Sequence, residues 1–231
     1  NPIQALTNII SQLKDKDDRI CIPGFYDKVR PISEQQKATL ATLPNIENTL
    51  KENLGVTQFK GETGFSLNEQ KWYRPTLDCN GIIGGYTDPG SKTVIPSKAS
   101  AKISMRLVAD QNPKEITALV KETLHKLTPA SVSLEIIEHH HINPIVVDTT
   151  HPWFKSCEEA YEEVYNKKPI IHGEGGSIPI VSEFKTALGI DTLLMGLGLP
   201  DDNIHSPNEK MDLDMIEKGI QVTRNFYQKL K

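Results

Sequence analysis

Residues 76–86 have the sequence TLDCNGIIGGY, and their alternating pattern is typical of a β-strand. A turn signal at residues 88–90 follows it, and residues 98–108 alternate again, so the two runs predict a hairpin. Residues 112–127 then predict a helix opened by Asn-Pro, and residues 131–142 predict another strand. This order of elements predicts an α+β fold, an antiparallel sheet with helices on one side.

Helices precede this sheet along the chain. Asn1-Pro2 is typical of an N-cap followed by proline at the first helical position, and apolar residues then recur on one helix face. Ser33 and Gln36 have the spacing of a capping box, and Gly55 is placed to end another short helix. The segment between residues 20 and 55 is therefore predicted to be a helical surface excursion.

The C-terminal part has a different pattern, in which helices and short apolar runs alternate. A helix is predicted from about residue 151 to Asn166, and later helices over residues 178–188 and 212–230. Residues 169–171 and 192–195 predict two short strands. An α/β layer normally contains more parallel strands than two, so this part is predicted to be incomplete by itself.

Composition restricts the function classes. The chain has 231 residues, a net charge of −4 and 37% apolar residues, which excludes disorder and predicts a soluble protein with a substantial core. It contains no apolar run near the roughly 18 residues of a membrane span and no signal peptide pattern. Scattered basic residues argue against nucleic acid and membrane partners. Three widely spaced cysteines favour a reducing compartment, which we take as cytoplasmic.

Three neighbouring histidines, His139 to His141, form the first candidate site. Residues two apart share one face of a strand, so His139 and His141 are placed to bind one metal ion. A polar strand end explains the same pattern equally well. No HExxH motif supplies further zinc ligands.

A glycine-rich loop, residues 173–179, is the second candidate. Glycines allow backbone N–H groups to approach a ligand closely, and Ser177 is predicted near the start of a helix, where a carboxylate or phosphate is favoured. A tight turn without a ligand would have the same composition. The loop matches neither the P-loop nor the dinucleotide-binding pattern.

Two single residues complete the candidates. Arg106 lies within a predicted strand, and its guanidinium group suits bidentate binding of a carboxylate, although an ordinary salt bridge is the commoner role. His205 lies in an acidic loop after a predicted strand, where α/β proteins often build sites. A solvated loop histidine is the alternative.

Several motifs, taken in order, resemble the carnosine dipeptidase branch of the di-zinc metallopeptidases. That superfamily also contains aminoacylases, succinyl-diaminopimelate desuccinylases and glutamate carboxypeptidases. The motifs are Tyr73-Arg74-Pro75-Thr76-Leu77, Gly81-Ile82, Gly90-Ser91-Lys92-Thr93-Val94-Ile95-Pro96, Ser104-Met105-Arg106-Leu107-Val108, Gly175-Gly176-Ser177-Ile178-Pro179 and His205-Ser206-Pro207-Asn208-Glu209.

The resemblance implies a two-domain organisation. Residues 1–150 would form a lid and dimerisation domain, a ferredoxin-like antiparallel sheet with two main helices. Residues 151–231 would form the C-terminal part of an incomplete α/β catalytic domain that binds two zinc ions, with manganese or cobalt as alternatives. The intact enzyme is expected to be a cytoplasmic homodimer that acts on dipeptides or acyl-amino acids.

The resemblance also implies roles for individual residues. The substrate's C-terminal carboxylate would be held by Arg106 and by the loop residues Gly175, Gly176 and Ser177. Thr93, presented by the lid of the other subunit, and His140 would lie near the scissile bond, and Glu174 would meet the substrate amine. His205 would be a zinc ligand. The family usually has a basic residue where this chain has Gly173.

The family's His-x-Asp and Glu-Glu motifs, which supply the general base and other metal ligands, lie before the lid, and the segments that would carry them there are not in this chain. We therefore expect this chain alone to bind zinc weakly and not to hydrolyse dipeptides, and Asn1 not to be a natural translation start. Two alternatives are an N-acyl-amino-acid deacylase or desuccinylase of the same superfamily, and a non-catalytic dimerisation module.

Overall fold

The structure, a computed structural model, describes residues 1–175 and 178–230. Within these ranges the elements are α1 (Pro2–Ser11), α2 (Glu34–Ala41), α3 (Glu47–Leu54), α4 (Leu67–Tyr73), β1 (Thr76–Gly84), β2 (Ala99–Arg106), α5 (Pro113–Leu127), α6 (Pro152–Tyr165), α7 (Pro179–Leu188) and α8 (Leu213–Lys229). No helix in the described ranges is long and apolar enough to cross a membrane. The chain divides into two compact units: unit 1 is Asn1–Ile145 with His172–Ser182, and unit 2 is Val146–Ile171 with Glu183–Lys231.

The predicted hairpin is confirmed and forms the sheet of unit 1. Strands β1 and β2 pair antiparallel, with Thr76 opposite Arg106 and Gly84 opposite Ala99. Helix α1 packs against both strands. The core beside them consists of Ile9, Leu13, Ile20, Ile22, Phe25, Leu77, Ile116, Val120 and Leu124. The register places Arg106, the last residue of β2, at the end of the sheet where β1 begins.

The predicted helix ends are also confirmed. The Asn1 side chain accepts a hydrogen bond from the Ile3 N–H at 3.0 Å, as an N-cap should. Ser33 and Gln36 form a reciprocal capping box at the start of α2. Gly55 ends α3 with a φ of 66°, a left-handed conformation that glycine adopts without steric cost.

Three predicted strands are wrong. The described residues of 131–142, 169–171 and 192–195 form no strand, so the described sheet has two strands. In the first run, Leu134 and Ile136 still pack against the core of unit 1. Side-chain alternation therefore predicted burial correctly, but a strand also requires a neighbouring strand that pairs with its backbone.

Helices α6 and α8 pack together in unit 2. Ala160 of α6 and Val222 of α8 are completely buried. Gly219 of α8 faces Leu197, and a Cβ atom at this glycine would overlap Cδ1 of that leucine and lie 3.1 Å from its Cδ2. The Tyr161 hydroxyl donates a hydrogen bond to the Gly196 carbonyl at 2.9 Å. The helix pair thus holds residues 196 and 197 in place.

The close contact at Gly219 predicts that a side chain there is destabilising. Gly219→Val should lower the free energy of unfolding by about 1–3 kcal/mol, because the new methyl groups must displace Leu197. Urea unfolding followed by circular dichroism measures the change. Gln221→Val places the same residue at an exposed position of the same helix and controls for helix propensity. A loss no larger than that of the control would contradict this packing.

Candidate functional site

The glycine-rich loop of unit 1 begins against helix α4. The Gly173 N–H donates a hydrogen bond to the Tyr73 hydroxyl oxygen at 3.2 Å, although the two residues are 100 positions apart. The His172 ring stacks on the Trp72 ring, with 4.2 Å between centroids and 21° between planes. Both contacts come from the last turn of α4, so this helix is the support on which the loop rests.

Gly175 brings this loop to Arg106. The glycine is buried, and a Cβ atom placed on it would overlap the Lys71 carbonyl oxygen and lie 2.9 Å from Nη1 of Arg106. Any larger residue would therefore push the loop away from α4 or displace the guanidinium group. The structure thus brings together two of the residues that the sequence singled out, Arg106 and Gly175, within one unit.

Arg106 is suited to binding an anion. The residue is exposed, and no carboxylate among the described residues forms an ion pair with it. A guanidinium group presents parallel N–H donors that match the two oxygens of a carboxylate. The guanidinium can lie this close to Gly175 because the glycine has no side chain. This arrangement can hold the carboxylate of a small substrate.

A largely buried ion pair joins Glu62, which precedes α4, to Arg74, which directly follows it; sequence reasoning did not find this pair. Arg74 donates two hydrogen bonds to Glu62, at 2.8 Å from Nε and 2.7 Å from Nη2. Only about a tenth of each side chain is exposed, 10% for the arginine and 9% for the glutamate. The Arg74 guanidinium also lies 4.3 Å from the centre of the Phe65 ring. This pair fixes the chain between α4 and β1.

The ring of Tyr26 lies beside the same pair. The Arg74 guanidinium is 5.0 Å from its centre, and the Arg19 guanidinium is 4.3 Å away. Its hydroxyl accepts a hydrogen bond from the Ile20 N–H at 3.1 Å. Burial raises the pKa of Tyr26, because the phenolate form would lose its hydration. The phenol therefore stays neutral and contributes to packing around the pair.

The other predicted residues of unit 1 that the structure describes are exposed, and two of them, Thr93 and His140, lie far in the sequence from the contact of Arg106 with Gly175. Thr93 lies in the loop between β1 and β2, and His140 lies in the extended segment after α5. Glu174 is exposed next to Gly175. Two further predicted residues, Gly176 and Ser177, lie outside the described residues.

His141 makes polar contacts that account for part of the histidine run. Its Nε2 lies 3.1 Å from a Glu138 carboxylate oxygen, and Glu138 also pairs with Lys121. The hydrogen bond from Lys121, followed by that from His141, lowers the pKa of Glu138. The rings of His139 and His140 lie 6.2 Å apart. The predicted sharing of one metal ion by His139 and His141 stays a hypothesis.

His205 lies in unit 2, in the loop that connects residue 199 to helix α8. It is exposed and has a φ of 62°, which is uncommon for a residue with a side chain. Asp202, nearby in the same loop, is 3% exposed, and its Oδ2 accepts a hydrogen bond from the Leu199 N–H at 2.7 Å. The loop is therefore anchored through a buried carboxylate.

The described residues do not form a complete zinc site. Among residues 1–175 and 178–230, no group of three or more His, Cys, Asp or Glu side chains is arranged to hold a metal ion. The imidazole of His205 has the donor chemistry that zinc prefers, but zinc normally has four ligands. The role of His205 as one zinc ligand therefore stays a prediction.

Comparison with known proteins gives one consistent result. The model of peptidase family M20/M25/M40 matches residues 11–229. A Cys-Gly metallodipeptidase of Candida albicans is 33% identical over 97% of this chain and 47% of its own length. A human Beta-Ala-His dipeptidase is 27% identical over 98% of this chain and 45% of its own length. The crystal structure of an M20 family metallo-carboxypeptidase from Sulfolobus solfataricus superposes with a TM-score of 0.86 at 32% identity, covering 98% of this chain and 52% of that one.

These matches run along nearly the whole chain, whereas the chain spans about half the length of the curated relatives it matches. The family match includes the hairpin, the glycine-rich loop and the His205 loop. The resemblance that the motifs indicated is confirmed, and the chain belongs to peptidase family M20/M25/M40.

Proposed function

We propose that this chain is part of a zinc-dependent dipeptidase that hydrolyses the peptide bond of dipeptides with a free C-terminal carboxylate. The observation that carries the proposal is the approach of Arg106 to the buried Gly175. A cation beside a glycine backbone suits a small terminal carboxylate, and two relatives that resemble this chain, the Cys-Gly metallodipeptidase of Candida albicans and the human Beta-Ala-His dipeptidase, are named for dipeptides.

The roles of the other residues belong to the same proposal. Arg106, Gly175, Gly176 and Ser177 hold the substrate carboxylate, and Glu174 binds the substrate amine. Thr93 and His140 act near the scissile carbonyl. His205 contributes one ligand to a pair of zinc ions, with manganese or cobalt as alternatives. Because the described residues supply no complete metal site, we assign no reaction step to a metal held by this chain alone.

We further propose that residues 1–150 form a lid that mediates homodimerisation, and that residues 151–231 are part of a larger α/β catalytic domain. The described part of the lid has a two-stranded sheet in place of the expected ferredoxin-like one. Exposed apolar residues on the hairpin and its loop support the first statement: Ile82, Ile83, Val94 and Ile95. Membership of a larger catalytic domain is supported by exposed apolar residues in short runs with strand-like sequence: Ile170, Ile171 and Leu194. A cytoplasmic location is also proposed, since Cys21, Cys79 and Cys157 are free thiols.

A substrate panel tests the activity. The protein is expressed from the complete open reading frame that contains this sequence and is assayed with Cys-Gly, β-Ala-His, their C-terminal amides and N-acetyl amino acids. Each assay is run with zinc and after chelation. The proposal expects zinc-dependent hydrolysis of the dipeptides and slow hydrolysis of the amides. Faster cleavage of the N-acetyl amino acids would favour the deacylase, and equal cleavage of the amides would exclude carboxylate recognition.

The chain alone provides a separate prediction. We expect the isolated 231-residue chain to bind zinc weakly and to show no dipeptide hydrolysis, because a single histidine falls far short of the four ligands of a zinc site. Isothermal titration with zinc chloride, together with the dipeptide assay, measures both properties. Metal-dependent hydrolysis by the isolated chain would contradict the prediction.

The second candidate function is a non-catalytic dimerisation module. The apolar residues exposed on the hairpin, among them Ile83 at 70% and Ile95 at 72%, are the observation that favours it. Sedimentation of the chain, combined with the length of the open reading frame, distinguishes the two. A dimer whose reading frame starts near Asn1 supports the module, and a longer frame that contains His-x-Asp and Glu-Glu motifs supports the enzyme.

A further inference from the structure

The loop that carries His205 has an unusual backbone. Asn203, His205 and Asn208 have φ angles of 52°, 62° and 62°, all in the left-handed region. Asparagine and histidine enter this region more often than other residues with a side chain, but the conformation still has a cost, and it persists only where the surroundings hold it. The contacts that hold this loop therefore determine where the His205 side chain is presented.

Backbone hydrogen bonds close the loop at its base. The Lys210 N–H donates to the Asp202 carbonyl at 2.9 Å, and the Asp202 N–H donates to the Leu199 carbonyl at 3.2 Å. The buried Asp202 carboxylate also accepts from the Leu199 N–H at 2.7 Å. Within the loop, the Ser206 N–H donates to the Asn203 carbonyl at 2.9 Å.

One side chain bridges the base of the loop and the start of helix α8. The Lys210 ammonium lies 3.0 Å from Asp201, 3.5 Å from Asp202 and 3.3 Å from Asp212. Asp212 is the N-cap residue of α8, but its side chain makes no capping hydrogen bond. Its carboxylate instead contacts the lysine, so three carboxylates from both ends of the loop converge on a single cation.

This arrangement keeps Lys210 charged. The hydrogen bond with Asp201 is the largest cause of a strongly raised pKa at Lys210, with Asp212 adding to it. The same hydrogen bond lowers the pKa of Asp201. Removing the ammonium group would leave three carboxylates close together without a cation, and their repulsion would open the base of the loop.

We propose that Lys210 is a positioning residue that fixes the His205 loop by neutralising Asp201, Asp202 and Asp212. The geometry of the loop carries this proposal. Only the purpose of the positioning, presentation of His205 to a metal ion, rests on the proposed function. Lys210 itself is not a metal ligand, because an ammonium group has no lone pair to donate.

Hydrogen exchange measured by NMR on the purified chain tests the proposal. In Lys210→Met, the amides of Leu199, Ser206 and Lys210 should exchange about three- to tenfold faster, because the loop opens locally. Lys210→Arg should restore slow exchange, since a guanidinium group can also bridge carboxylates. The matched control is Lys229→Met, which removes a lysine that pairs with Glu159 and Glu163 near the other end of α8.

The outcomes separate this proposal from the proposed function. Faster exchange in Lys210→Met, with slow exchange in Lys210→Arg and Lys229→Met, supports the positioning role. Unchanged exchange in Lys210→Met overturns it. Zinc chloride is then titrated into the protein expressed from the complete open reading frame and into its His205→Ala variant while the histidine ring signals are recorded. Loop opening in Lys210→Met together with no zinc-induced shift at His205 supports positioning by Lys210 but overturns the metal role of His205.

Discussion

Replacing Arg106 by methionine should lower kcat/KM for dipeptides about 100-fold in the protein expressed from the complete open reading frame, which corresponds to about 3 kcal/mol. The physical reason is the loss of the proposed charge-assisted, bidentate contact with the substrate carboxylate, which methionine cannot replace although it has a similar length. Arg106→Lys should recover part of the loss, because an ammonium group keeps the charge but lacks the planar pair of donors.

Substrate amides make this prediction specific. With the unsubstituted enzyme, C-terminal amidation should reduce kcat/KM strongly, whereas with Arg106→Met amidation should have little further effect, since the contact is already absent. Lys102→Met provides the matched control, because Lys102 is an exposed cation on the same strand, four residues earlier, opposite Gly81. If amidation still lowers the activity of Arg106→Met as strongly, Arg106 does not bind the carboxylate.

The helix ends could be predicted from the sequence, because they depend on interactions between residues that are close in the chain. Asn1, Ser33 and Gly55 each cap a helix through groups within a few residues, so their roles can be recognised in the sequence. Helix α4 has the same kind of signal, since Ser66 and Glu69 form a capping box. The S-x-x-E spacing of Ser66 and Glu69 is therefore a sequence signal for the start of α4.

The candidate site could be predicted only in part, because its contacts join distant segments. The glycines and Arg106 were recognisable from their chemistry, but nothing in the local sequence indicates that Gly173 contacts Tyr73 or that Gly175 lies against Lys71 and Arg106. The wrong prediction of strands has the same cause, a dependence on contacts with distant segments. Residues 131–142 alternate as a strand does, yet backbone pairing depends on a neighbouring segment that local sequence does not specify.

The buried pair of Glu62 and Arg74 should have the largest effect on stability. Glu62→Ala should lower the free energy of unfolding of unit 1 by about 3–5 kcal/mol, because it leaves the Arg74 guanidinium buried without its carboxylate. Urea unfolding followed by fluorescence measures the loss. The sequence contains two tryptophans, so Trp153→Phe in the background makes Trp72 the reporter of unit 1. Glu122→Ala removes a carboxylate from an exposed ion pair with Lys126 and should cause no measurable change.

The double variant Glu62→Leu with Arg74→Met distinguishes an unpaired buried charge from lost packing. If the cost of Glu62→Ala comes from the unpaired guanidinium, replacing both partners by apolar residues should recover more than half of the lost stability. If the double variant is as unstable as the sum of its single variants, the pair instead stabilises through its own hydrogen bonds and its contact with Phe65.

Since Arg74 directly follows Trp72 and Tyr73, Glu62→Ala should also loosen the support of the glycine-rich loop, and the Gly173 amide should exchange faster with solvent.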